Sequence, residues 1–148
     1  MPAALGFIML KLPKLLIQLI EEGVWPGEGE EPNKQEFDPI VKEDKVKLIS
    51  DIDTKIVLMP PPFWTITEEQ NPFYTEDITC FGQIDYDKAI CIADFGLGSD
   101  SPIILYYQEQ IEPVVMYLKW QFEGSDAMQE WVQTHSSFEE FASTIGIT

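Results

Sequence analysis

Arginine is absent from this 148-residue chain, so its 9 basic side chains are all lysines. Against them stand 26 carboxylates, a formal net charge of −17. Arginine is the usual bidentate reader of guanine and phosphate, and so negative a field repels a polyanion. The expectation is a protein that binds no nucleic acid directly. Histidine occurs once, as His135, and cysteine twice, as Cys80 and Cys91. So few nitrogen and sulfur ligands build neither a transition-metal site nor a disulfide framework. Both cysteines have apolar or aromatic neighbours and read as reduced core thiols of a cytoplasmic protein. No uninterrupted apolar stretch reaches the roughly 18 residues of a membrane-spanning helix. The Leu- and Ile-rich start is broken by Lys11, Pro13 and Lys14, has no preceding positive charge and leads to no small-residue cleavage site. It does not read as a secretory signal.

What is present is enough for one folded unit. Hydrophobic residues make up 45% of the chain, and a domain of this length buries roughly 68–70% of the surface its unfolded chain exposes. Residues 1–11 read as an N-terminal extension, and residues 12–148 as a single domain. From Pro13 to Glu22 the apolar spacing of Leu15, Leu16, Leu19 and Ile20 is helical, with Pro13 in the first turn and Gly23 just past the last. Residues 24–36, with Pro26, Gly27, Gly29, Pro32 and Glu28, Glu30 and Glu31, read as a solvated loop. Asp38-Pro39 reads as a helix start running towards Lys45, with an extended stretch from Val46 as the other option.

The run Ile56–Met59 stops at Pro60-Pro61-Pro62, which supply no backbone donors. Thr65 and Glu68 have the spacing of a capping box around one helical turn ended by Asn71-Pro72. Asp85–Lys88 reads as a turn, followed by strands over Ala89–Ala93 and Pro102–Tyr107. Val114, Met116, Leu118 and Trp120 alternate along a third strand. Trp131-Val132 begins a short edge segment. Either Ser136 or Ser137 can cap a final helix whose buried face is Phe138, Phe141, Ala142 and Ile145, with Gly146 as its stop. The fold class is α+β: an antiparallel or mixed sheet flanked by N- and C-terminal helices.

Catalytic patterns are weak. His135 lies in a polar stretch without an evident partner and reads as an exposed or capping residue. Asp94-Phe95-Gly96 spells a kinase tripeptide without any other kinase motif. Asp85, Asp87, Asp94 and Asp100 lack the spacing of a calcium loop and read as turn aspartates. No cofactor and no metal are expected. Phe63 and Trp64, presented directly after the triple proline, admit two readings, exposed partner anchors or core residues steered inward.

The segment Ile92-Ala93-Asp94-Phe95-Gly96-Leu97-Gly98-Ser99-Asp100-Ser101-Pro102, followed by Ile103 to Tyr107, resembles the SUKH superfamily of bacterial immunity proteins and yeast cell-wall synthesis regulators. Asp94, Gly96, Gly98, Asp100 and Pro102 match its turn, although Ala93 and Tyr106 stand where its pattern has glycine and aspartate. Val114–Trp120 matches its next strand, Trp131 its tryptophan, and Ser137–Phe141, with Phe138, its closing helix. The helix ending at Glu22-Gly23, Trp25-Pro26 and the Pro60–Phe63 segment extend the likeness over most of the chain from residue 12.

The resemblance implies protein binding without catalysis: a cytoplasmic immunity protein that neutralises a toxin, basic if the toxin is a nuclease. An acidic protein would be steered onto such a partner. The candidate binding residues are Glu28, Glu30, Glu31, Phe63, Trp64, Asp94 and Asp100. A regulatory interaction module without a toxin, and a small enzyme using His135 or the aspartate turn, are the competing readings.

Overall fold

In the computed structural model, residues 10–69, 84–96, 101–108, 112–123 and 126–148 are described. The first helix, α1, spans Lys14–Glu21 and buries Leu16 and Leu19. It ends as glycine dictates. Gly23 adopts φ +78°, and the amides of Gly23 and Val24 reach back to the carbonyls of Ile20 (3.1 Å) and Leu19 (2.9 Å). This pairing satisfies carbonyls that a helix end otherwise leaves open.

Residues 24–36 are more than a solvated loop. Among the described residues Trp25 is the largest fully buried side chain, and Gln35 is buried as well. Pro32–Glu36 forms a 3-10 turn. Asp38 does not open a helix; its amide closes on the Lys34 carbonyl at 3.0 Å, finishing that turn. The next helix, α2, is only Glu43–Val46. Burial of Val41 and Val46 in the main core explains the shift: the chain between them must run inward before it can turn.

Among the described residues the sheet has five strands in the order β1-β2-β3-β4-β5, antiparallel throughout. They are β1 (Val57–Leu58), β2 (Ala89–Asp94), β3 (Pro102–Tyr106), β4 (Val114–Glu123) and β5 (Asp126–His135). A one-turn helix, α3 (Ile66–Glu69), precedes β2, and α4 (Phe138–Thr144) closes the chain. The domain is therefore α+β.

Both faces of the sheet are buried. Ile90, Ile92, Ile103, Leu105, Val115 and Tyr117 point to one face, where Leu16, Leu19, Trp25, Phe138 and Phe141 cover them. Ala89, Ile104, Val114, Met116, Leu118 and Trp131 point to the other, packing with Ile66 and Tyr86. Side chains alternate along a strand, so a strand covered twice must be apolar at nearly every position. Each large side chain buried this way stabilises the fold by about 1.5–3 kcal/mol. An irregularity in β2 between Cys91 and Ala93 breaks the alternation, leaving Ile92 and Ala93 both in the larger cluster.

Two expectations need correction at the ends. Trp131-Val132 does not begin a short edge segment, because β5 is a ten-residue strand aligned with β4 from Val115↔His135 to Glu123↔Asp126. Residues 10 and 11 belong to the domain rather than to an extension: Leu10 packs on the core, and the Tyr107 hydroxyl donates to the Lys11 carbonyl at 2.7 Å.

The capping expectations are met by specific bonds. Thr65 and Glu68 reciprocate, Thr65 N–H to Glu68 Oε1 at 3.0 Å and Glu68 N–H to Thr65 Oγ1 at 3.1 Å. For α4 the capping residue is Ser137, whose Oγ accepts from Glu140 N–H at 3.2 Å. The neighbouring Ser136 hydroxyl donates to the Glu140 carboxylate instead.

Candidate functional site

The residues expected to bind a partner fall into three places. Glu28, Glu30 and Glu31 are exposed. Glu31 is the residue immediately before the 3-10 turn, and Glu30 N–H bonds the Gly27 carbonyl at 3.1 Å. At the far end of the same turn stands Phe37, 93% exposed. Five residues of 3-10 helix rise only about 10 Å, so Glu31 and Phe37 stand at the two ends of one short turn. Glu36 adds little free charge, since its carboxylate pairs with Lys55.

Phe63 and Trp64 part company. Phe63 is 4% exposed and belongs to the main core, so it is no exposed anchor, while Trp64 is 37% exposed. In extended chain, neighbours point to opposite sides. The Trp64 carbonyl receives Cys91 N–H at 3.3 Å, and an isolated bridge joins Thr65 to Ile90. This pairing against β2 turns Phe63 inward. Phe63 and Glu28 do meet at one place, a cleft of about 420 Å³ that they line with Leu10, Leu12, Ile17, Pro61, Pro62 and Ile90.

Asp94 lies elsewhere. It is the last residue of β2, half-buried, and faces Val57 of β1 and Pro102 of β3 in the ladder. Glu28 lines the cleft with Ile90, and Asp94 is not among the lining residues. Gly96 follows with φ +96° and open space around its α-carbon. It is needed for its backbone angle and not for clearance. Gly98 and Asp100 lie outside the described residues, as does Cys80. Beside this turn Phe95 packs edge-on against Tyr117 at 5.0 Å. Burial, reinforced by Asp53 and Asp51, pushes the Tyr117 phenol above its usual range.

The remaining motif positions are structural. Trp131 packs against Tyr86 at 6.3 Å, Phe138 against Trp25 at 5.8 Å, and Phe141 against His135 at 5.7 Å. His135 is half-buried rather than exposed. Its Nδ1 lies 2.9 Å from Thr134 Oγ1 and its Nε2 lies 3.0 Å from Thr144 Oγ1. The Thr144 hydroxyl already donates to the Glu140 carbonyl at 2.9 Å. The Thr134 hydroxyl likewise donates to the Val115 carbonyl at 3.3 Å, so each hydroxyl offers the ring an acceptor, and a neutral imidazole, with one N–H, donates to one of them at a time. The histidine thus ties the end of β5 to the end of α4. Burial lowers its pKa, and the Glu140 carboxylate opposes the shift.

Among the described residues, no group of three or more His, Cys, Asp or Glu is arranged to hold a metal ion. No helix among them is long and apolar enough to cross a membrane.

Two features escaped the sequence reading. Phe37 carried a usable signal, an aromatic set between Glu36 and Asp38 in a polar stretch. Gln35 carried none. Its amide donates to the Leu58 carbonyl and accepts from Leu58 N–H, both at 2.8 Å, so it occupies the outer edge of β1.

No family model matches the chain, and no curated protein or solved structure is similar to it at a significant level.

Proposed function

We propose that this chain is a non-catalytic, cytoplasmic protein-binding protein of the immunity type, which neutralises a basic toxin domain. The observation that carries the reading is Phe37, 93% exposed, at one end of a 3-10 turn whose other end follows exposed Glu31, with Glu28 and Glu30 exposed in the segment just before it. An aromatic ring left in water is a ready anchor for an interface. The carboxylates that precede it, in a chain of net charge −17, favour fast encounter with a cationic surface. A nuclease domain has such a surface because it must approach phosphates. The resemblance of the Asp94–Pro102 turn, Trp131 and the closing helix to SUKH proteins supports the same function.

The test is affinity capture from the native cells, followed by kinetics on the recovered partner. The reading expects a toxin domain whose association slows with added salt. Replacing Glu28, Glu30 and Glu31 together by lysine should slow association about tenfold or more. Phe37→Ala should instead speed dissociation, weakening the complex about 10- to 100-fold. Recovery of regulators alone, or a toxin complex indifferent to all four substitutions, would reject it.

A further inference from the structure

The cleft of about 420 Å³ lies between α1 and the segment 61–63, with Ile90 of β2 also on its lining. Its volume falls within the roughly 300–1,000 Å³ of pockets that take small ligands. Leu10, Leu12, Ile17, Pro61, Pro62, Phe63 and Ile90 make the lining apolar, and among the described lining residues Glu28 alone carries charge. Ile17, on a helix otherwise packed by its apolar face, is left 43% exposed at this cleft. Phe63 and Ile90 are buried in the main core, so those walls are held by packing on their far side.

An apolar hollow with a single carboxylate fixes the chemistry of its occupant. The ligand needs an apolar body to cover Ile17 and Phe63 and one positive group for Glu28. An anion would meet both that carboxylate and the negative field of the chain. The geometry points to a binding site for an amphipathic cation, an apolar body carrying one ammonium group, in the cleft of Ile17, Phe63, Ile90 and Glu28. The site is separate from the partner reading. Glu28 belongs to both, but a small probe examines the cleft with no partner present.

The probes are 4-phenylbutylamine, cationic at neutral pH, and 4-phenylbutanoate, which has a similar body and the opposite charge. Amide shifts in the full-length protein are followed by NMR. The cation should shift Ile17, Phe63 and Ile90 in a saturable way, with Kd on the order of 1 mM for so small a ligand. The anion should bind several-fold more weakly. Glu28→Gln should weaken the cation about three- to fivefold, as expected for a solvent-facing charge pair, and narrow its advantage over the anion. Ile17→Lys, at a position tolerant of a polar side chain, should abolish cation binding. Non-saturating shifts spread over the acidic surface would overturn the assignment, as would equal binding of the two probes or indifference to Glu28→Gln. Binding that appears only after Phe7→Ala would make residues 1–9 of the chain itself the occupant, and would also overturn it.

Discussion

The sheet has two edges, and they are secured in opposite ways. β5 is ten residues long and is aligned with β4 along its whole length. β1 is two residues long and matches β2 only at Val57↔Asp94 and Leu58↔Ala93. Such a short ladder contributes little, so β1 is fixed by side chains from elsewhere. The Gln35 amide holds both backbone groups of Leu58, and the Trp25 indole donates to the Met59 carbonyl at 2.8 Å. An open edge offers unpaired groups to other chains, and a side-chain amide closes it as a neighbouring strand would. The long edge depends on its own backbone; the short edge depends on two residues of the preceding loop.

Breaking the short edge should therefore cost most. Trp25→Ala removes the largest fully buried side chain among the described residues and its bond to Met59, just past β1, for about 3–5 kcal/mol, read as a lower denaturant midpoint. Trp25→Phe, which keeps a ring and loses the donor, should cost less.

Gln35→Ala leaves the Leu58 N–H and carbonyl without their partner, for about 2–3 kcal/mol. Hydrogen exchange separates edge from whole: the Leu58 amide should lose more protection than that of Val132 in β5. Gln35→Glu should still accept from Leu58 N–H but cannot donate to its carbonyl, giving an intermediate loss. Equal loss of protection at both edges would refute the contrast.

At the long edge the same tests are milder. Ser137→Ala removes the cap of α4 and should cost about 1 kcal/mol, with β5 amides still protected. The smallest effect is the pH dependence set by His135. Burial holds its imidazole below the ordinary value of 6.5. As pH falls through that value the unfolded chain gains protons before the folded one, so stability declines on acidification. Glu140, held below the ordinary carboxylate value chiefly by its bond to Ser136, extends the decline to lower pH. His135→Gln should flatten the upper part of this profile in pH-dependent unfolding curves and leave the lower part.

The two edges also differ in how much of them the sequence discloses. α4 was readable, with its cap narrowed to Ser136 or Ser137, because cap, buried face and glycine stop all lie within 10 residues of one another, from Ser137 to Gly146. The Thr65–Glu68 capping box and the strands over 89–93 and 102–107 were readable for the same reason. β5 was underestimated: Gln129, Glu130, Gln133 and Thr134 interrupt its apolar pattern, and only its alignment with β4 makes it a strand throughout. Of the candidate binding residues, Glu28, Glu30 and Glu31 were picked out by charge and are exposed, Phe63 and Trp64 were left open between surface and core, and Phe37 was passed over.

By itself the sequence determined the charge, the α+β class and the ends of the first and last helices, since each follows from composition or from neighbours a few residues apart. Tertiary structure alone decided which aromatics face water, that Gln35 serves as the missing neighbour of β1, and that Glu28 lines the apolar cleft. Those outcomes depend on contacts between distant segments, such as Gln35 with Leu58, 23 positions on. No local periodicity records a pairing of that kind.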